Sequence, residues 1–433
     1  MNFKTLILAL SALFCITFSS SVLNEVFGQI GVYKRDTISM EAGRVNDVFY
    51  SLKTGSKIQQ IRSDWDVQFS THKYDVTIRT NGSQGVALYA YPNSGLAGWN
   101  SIDTTGLFMW PVLYNSDKDW EMGAFNANGT GSELDYGWGV YNMISHNIVG
   151  DSLFVIQIPV SSSEFTFLKL WIVDKNPTIN KYTFKFANLD GTNENEVVLS
   201  CNDYETKNFV GYDFKTKAFV DREPASADWD LQFTKYMTFY ENIMWYPVTG
   251  LLQNYNVEAA SYPLVDTTFM DFTIEALDST NISTIGNYWN NFNGTSYTIN
   301  DSLVYFVSDQ ESSIWKLVFE YYTPSSIGKI GFRKMLLEDH ANITEAGGVS
   351  NGKVAISPNP ATSSTQLLFT ANKPGMAQVS VVNLTGQTVY TQNISYVSGL
   401  NTSNLDVSNL PQGIYVVSVR AANALLQNKL IKK

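Results

Sequence analysis

The chain has 433 residues and a formal net charge of −11, with aromatics at 14% and charged residues at only 16%. Hydrophobic residues make up 44%, enough to bury the cores of two or three domains. So acidic a balance repels a phosphate backbone and excludes nucleic acid as a natural partner. The wealth of Tyr, Phe, Thr, Asn, Ser and Gly favours strands and turns over helices.

Residues 1–29 read as a signal peptide. Lys4 supplies the positive start, Leu6 to Phe18 an apolar run, and Ser19 to Ser21 a small polar end, with a second cleavage candidate at Gly28-Gln29. The run is short for a bilayer span, and no later stretch predicts a transmembrane segment. Cys15 follows bulky Phe14, which argues against a lipoprotein. Cleavage leaves Cys201 as the single cysteine, so no intrachain disulfide forms and stability rests on burial. Cys201 is expected to be a small buried hydrophobe.

The body is organised around the hexapeptide Asp64-Trp65-Asp66-Val67-Gln68-Phe69, repeated as Asp228-Trp229-Asp230-Leu231-Gln232-Phe233. Its period of two predicts a strand with Trp65, Val67 and Phe69 in a core and Asp64, Asp66 and Gln68 in water. Around the first hexapeptide, strands are predicted at 48–52, 74–80 and 86–91, with a hairpin turn at Asn81-Gly82. Residues 93–140 are loop-like but carry Trp99, Phe108, Met109, Trp110, Tyr114, Trp120, Phe125, Tyr136 and Trp138. These aromatics are expected to pack on the sheet, a few of them lining a cleft. A meander of strands at 151–158, 165–173 and 182–187 follows.

The same order returns downstream. Tyr212, Asp228, Asp301 and Trp315 repeat Tyr50, Asp64, Asp151 and Leu168 at offsets of 162, 164, 150 and 147. The expected organisation is therefore two copies, 35–195 and 196–340, a linker at 341–352, and a separate module at 353–433. The module carries six basic residues and one acid, Asp406, against 23 basic and 39 acidic residues before it.

The Tyr50-to-Lys53 turn, Trp65-Asp66-x-x-Phe69, Thr80-Asn81-Gly82, the strand from Leu153 and Lys169-Leu170 together resemble the HmuY-like family of secreted Bacteroidetes proteins. Thr-Asn-Gly is missing from the second copy. The resemblance implies an all-β fold of two tandem HmuY-like antiparallel domains, and haem capture. In the tail, Pro358-Asn359-Pro360-Ala361, Thr385-Gly386-Gln387 and Leu410-Pro411-Gln412-Gly413-Ile414-Tyr415 resemble the C-terminal sorting domain of type IX secretion cargo. That implies a small immunoglobulin-like β-sandwich, recognition by the type IX machinery, and a secreted or outer-membrane surface-attached product.

No His-Glu-x-x-His, Gly-x-Ser-x-Gly or phosphate loop occurs, and His72, His146 and His340 lie far apart, so no enzyme is expected. Asp64, Asp66, Asp228 and Asp230, and the cluster Asp117 to Glu121, are short of the oxygens a hard cation needs, so no metal is expected. For haem, the axial candidates are His146 with Met109, Met122 or Met143. Ser296 takes the place of His146 in the second copy. The rival readings are a surface adhesin or structural protein without a small ligand, and a glycan binder using exposed aromatics.

Overall fold

The structure, a computed structural model, describes residues 30–92, 95–241, 243–339, 354–371, 374–383, 386–397, 399–421 and 424–433. The signal peptide and the 341–352 linker fall outside these residues. The described chain is all-β, with short 3-10 turns, and divides into two compact units at residues 339 and 340.

The first unit holds two cores. One lies between a five-stranded sheet and a four-stranded sheet. The five-stranded sheet runs in the order Tyr33–Ser39, Lys329–Glu338, Ile314–Tyr322, Leu303–Ser308, Glu258–Pro263. The four-stranded sheet has the order Met244–Gln253, Leu231–Tyr240, Asn46–Tyr50, Lys57–Ile61. Val48, Tyr50, Leu231, Phe233, Tyr305, Leu317 and Phe332 fill the space between them. The other core lies between the four-stranded sheet Ala218–Val220, Phe209–Asp213, Val67–Ser70, Ile78–Thr80 and an eight-stranded sheet. The centre of the latter is the expected meander Phe154–Pro159, Phe165–Asn176, Lys181–Asn188. Val67, Phe69, Phe154, Ile156, Phe184 and Tyr212 are buried there.

The cores do not separate at the expected boundary near residue 195. The Phe209–Asp213 strand pairs backwards with Val67–Ser70, Tyr212 opposite Val67. The Asn46–Tyr50 strand pairs forwards with Leu231–Tyr240, Tyr50 opposite Leu231. Residues 33–61 and 231–338 thus build one core, and residues 67–220 build the other, inserted between them. Tyr50 and Tyr212, which repeat one another in sequence, each complete the sheet that follows the other's hexapeptide.

The hexapeptides act as matched hooks in this exchange. The Asp66 N–H donates to Tyr212 O at 2.9 Å, and Asp230 N–H to Tyr50 O at 2.8 Å. The Asp66 carboxylate accepts Phe214 N–H at 2.9 Å, and the Asp230 carboxylate accepts Leu52 N–H at 2.7 Å. Both aspartates are buried, which corrects the expectation of a wet face: the strands start at Val67 and Leu231, so Asp66 and Asp230 precede them and meet backbone donors instead of water. Asn81 corrects a second expectation. It sits on a 3-10 turn, not a hairpin, because Ile78–Thr80 and Ala87–Ala90 belong to different sheets. Its side-chain amide donates to Trp65 O at 2.9 Å. Asn254 donates likewise to Trp229 O at 2.7 Å. The role of Thr-Asn-Gly is therefore kept in the later half by an asparagine inside Gln253-Asn254-Tyr255.

Two connections cross between the cores, 62–66 and 221–230. Arg222 ties them together: its guanidinium meets Asp47 at 2.7 Å, Asp64 at 3.2 Å and the Ile61 carbonyl at 3.2 Å. Arg222 and Asp47 are almost fully buried, so this is a desolvated pair held by several hydrogen bonds, and removing either partner strands the other.

In the second unit, three strands (Ala355–Ser357, Ser364–Ala371, Gly399–Asp406) face four (Thr388–Tyr396, Gly375–Asn383, Gly413–Ala421, Ala424–Lys432). Leu367, Phe369, Val379, Val381, Val417 and Leu430 form its core.

Candidate functional site

His146 lies at the tip of a hairpin made by Gly139–Tyr141 and Ile148–Gly150, in a left-handed backbone conformation with φ 59°. The Tyr141 hydroxyl sits 2.6 Å from His146 Nδ1, which fixes the ring and leaves Nε2 outside that contact. Met143 and Ile144 on the same tip are exposed. Ser296 occupies the tip of a similar hairpin, Asn290–Phe292 with Tyr297–Ile299.

The methionine candidates are scattered. Met109 is almost wholly exposed, and its neighbour Phe108 touches Phe167 at one end of the Phe165–Asn176 strand. The His146 hairpin pairs with Asp174 and Lys175 at the other end, roughly 20 Å away at the rise of a strand. Met109 and His146 are not brought together. Met122 lines a cleft with another histidine, His72, whose lining includes neither His146 nor Met109.

That cleft measures about 540 Å³ and is open to solvent. Its rings come from His72, Tyr74 and Tyr136, and its carboxylates from Asp75, Asp119, Glu121 and Asp135. Most of these acids are already spent. Asp75 accepts from Thr77 N–H at 2.9 Å, Asp119 from Glu121 N–H at 2.8 Å, and Asp135 from Thr130 N–H at 2.8 Å. Glu121 is different: partial burial, with Asp75 and Asp119 nearby, raises its carboxyl above the ordinary value, while His72 pulls the other way. The sequence named His72 as an isolated histidine and Asp117 to Glu121 as a charged cluster, but did not join them with Tyr74, because they are dispersed over 50 residues of irregular chain.

The long aromatic loop packs. Trp138 is fully buried with its N–H on Val76 O at 2.9 Å, and Trp120 wedges between the two cores with its N–H on Gln253 O at 2.7 Å. Trp110 lies against Tyr91, and Trp99 against Trp171 and the Lys169 ammonium. Lys169 itself is buried and donates to Trp99 O at 2.6 Å, pinning this loop to the sheet. Lys316, its counterpart in the repeat, pins residues 267–269 in the same way, donating to Thr267 O at 2.7 Å and Phe269 O at 2.5 Å.

Among the described residues, no three His, Cys, Asp or Glu side chains converge as metal ligands. Cys201 is fully buried beside Lys175, and burial raises its thiol above the usual range.

The tail matches a known family: residues 355–433 correspond to the Secretion system C-terminal sorting domain. No curated protein matches the chain. Solved structures give only remote likenesses. Dimeric latent PorU from Porphyromonas gingivalis is 11% identical, with a TM-score of 0.17 over 82% of this chain and 31% of its own. Elastase-activated Escherichia coli alpha-2-macroglobulin is 9% identical, with a TM-score of 0.16 over 93% and 44%. The chain therefore spans less than half of either, and scores this low carry no argument about the body. No helix among the described residues is long and apolar enough to cross a membrane. Residues 355–433 form a type IX secretion sorting domain, and the protein is cargo of that system, destined for the cell surface or the exterior.

Proposed function

We propose that the body is a non-enzymatic glycan-binding module displayed or released through type IX secretion, with the ligand in the His72–Tyr136 cleft. The observation that carries this reading is the cleft itself: the exposed Tyr74 ring and the half-buried Tyr136 ring line it together with a Glu121 carboxylate that makes no hydrogen bond among the described residues. Aromatic faces stack on the apolar faces of sugars, and a free carboxylate accepts their hydroxyls. A volume of about 540 Å³ suits a mono- or disaccharide. A glycan array with wild type, Tyr74→Ala and Glu121→Gln tests it. Specific binding lost in both variants supports the site, and an empty array overturns it. Release of reducing sugar from a bound glycan would overturn the non-enzymatic part.

A second reading rests on the Tyr141–His146 pair. An exposed imidazole whose Nδ1 is held keeps Nε2 for ligating haem iron. The HmuY-like resemblance and an exposed Met143 accompany it. The acidic cleft around Met122 is a poorer haem site, since its carboxylates oppose the propionates of a porphyrin. Hemin titration of wild type and His146→Ala tests the second reading; no Soret shift, or the same shift in both proteins, removes it.

A further inference from the structure

A small pocket of about 60 Å³ lies between the two cores, under the turn at residues 81–83 and against the Leu231–Tyr240 strand. Its walls mix polar and apolar side chains and carry three cations against two acids. Arg62, Arg79 and Lys235 line it, and among the described residues none of the three forms an ion pair. Arg62 and Arg79 are nearly fully buried. Arg79 spends its donors on backbone carbonyls, Asp119 and Trp120 at 3.0 and 2.9 Å and Ser116 at 2.8 Å. Arg62 donates to the Arg44 carbonyl at 2.7 Å and reaches the Ser83 hydroxyl at 3.5 Å.

The two acids in the wall are committed elsewhere. Asp47 is held by Arg222 at 2.7 Å and Thr234 at 2.6 Å. Asp117 accepts from Thr238 at 2.6 Å, with Lys118 at 3.7 Å. Trp65 also lines the pocket, and its indole N–H, shielded from solvent, has no acceptor. The Lys235 ammonium makes no hydrogen bond or ion pair among the described residues and is opposed by Arg62 and Arg44, a cost that an anion at this point would lower. The accumulation of positive charge is the more telling in a chain whose net charge is −11.

We propose that this inter-core pocket binds a small oxyanion, the carboxylate, sulfate or phosphate group of a ligand, held by Lys235 and Arg62, with Arg79 adding positive charge from behind its backbone hydrogen bonds. The volume accepts one such head group and no more, so any larger ligand projects through the open side. The site is separate from the glycan cleft and shares none of the residues tested there.

The test is calorimetric titration of the full chain with sulfate, phosphate and acetate against chloride at matched ionic strength, with thermal midpoints measured in the same salts. Saturable binding of at least one oxyanion, accompanied by a raised midpoint, is expected. Lys235→Gln should weaken it about tenfold or more, as the loss of a charge-assisted contact does. Lys215→Gln, an exposed lysine elsewhere, should not. A preference for sulfate and phosphate identifies a tetrahedral group, and a preference for acetate a carboxylate; both support the site. Because Arg62 is buried, Arg62→Lys replaces deletion there and should retain folding while altering the preference among anions. Absence of saturable binding for all three salts, or equal affinity in wild type and Lys235→Gln, overturns the proposal.

Discussion

The carboxylate of Asp66 accepts the backbone N–H of Phe214 at 2.9 Å, across 148 residues of sequence. Asp230 does the same for Leu52 at 2.7 Å, across 178 residues. Each bond fastens a strand of one repeat to the hexapeptide of the other. Replacing either aspartate by alanine leaves a buried N–H without an acceptor and should cost about 1–3 kcal/mol. Asparagine keeps an acceptor oxygen and should cost less. Urea denaturation of Asp66→Ala, Asp66→Asn and the matching Asp230 variants measures the order; equal loss for Ala and Asn would show that the bond is not the cause.

Burial gives these hooks a pH signature. Desolvation raises the carboxyl of Asp230 to about 7 and that of Asp66 to about 6. A carboxyl that holds its proton more tightly when folded adds stability below the unfolded value, and that stability is lost as pH rises through the folded value. The thermal midpoint of the wild type should therefore fall between about pH 4 and pH 7. The fall should be shallower in Asp230→Asn, which has no proton to lose. Parallel curves for the two proteins would refute the assignment.

Arg222 holds both crossings between the cores, so its loss should be felt as an uncompensated charge on Asp47. Arg222→Met is expected to destabilise by about 3–5 kcal/mol. Adding Asp47→Asn should return part of that loss, since the stranded carboxylate is then neutral. A double-mutant cycle by chemical denaturation reads the coupling, and strictly additive losses would deny the pair.

The buried lysines make a local prediction. Lys316 pins the loop around residues 267–269, and its removal in Lys316→Met should free that segment with little change to the strands. Limited proteolysis should then cut faster near Leu264, which is exposed, and Lys169→Met should expose the Trp99 loop in the same manner. Unchanged cleavage rates would mean that the loops are held by their aromatic contacts alone.

Alternation and repeat spacing made the two meanders readable, but not Tyr33–Ser39, Lys57–Ile61, Met244–Gln253 or Glu258–Pro263, and the strand expected at 74–80 forms only at Ile78–Thr80. The meander from Phe154 to Asn188 and its counterpart from Leu303 to Glu338 fall where the apolar period of two puts them. Pairing partners were not readable, because Tyr50 and Tyr212 sit in equivalent patterns and either could complete either sheet; the choice depends on where the short 62–66 connection sends the chain. Burial of Asp66 was hidden for a related reason, since its acceptor role appears only once Phe214 arrives from far along the sequence. The sorting tail was legible because its motifs are local and ordered. Among candidate ligands, His146 was singled out correctly as a loop residue, but its Tyr141 partner lies across a hairpin and Met109 at the far end of a strand. The Glu121 cleft is assembled from separate segments and leaves no contiguous trace.

The insertion of one core within the other also fixes an order of assembly. Residues 33–61 are synthesised before the middle core, yet apart from the hairpin that Asn46–Tyr50 makes with Lys57–Ile61, their sheet partners lie between residues 231 and 338. The middle core can close on its own as soon as residue 220 is made, whereas the earliest strands must wait, with unsatisfied edges, until more than a hundred further residues arrive. Closure of the outer core is therefore the later of the two events, and it draws together the two ends of the first unit, Tyr33–Ser39 against Lys329–Glu338.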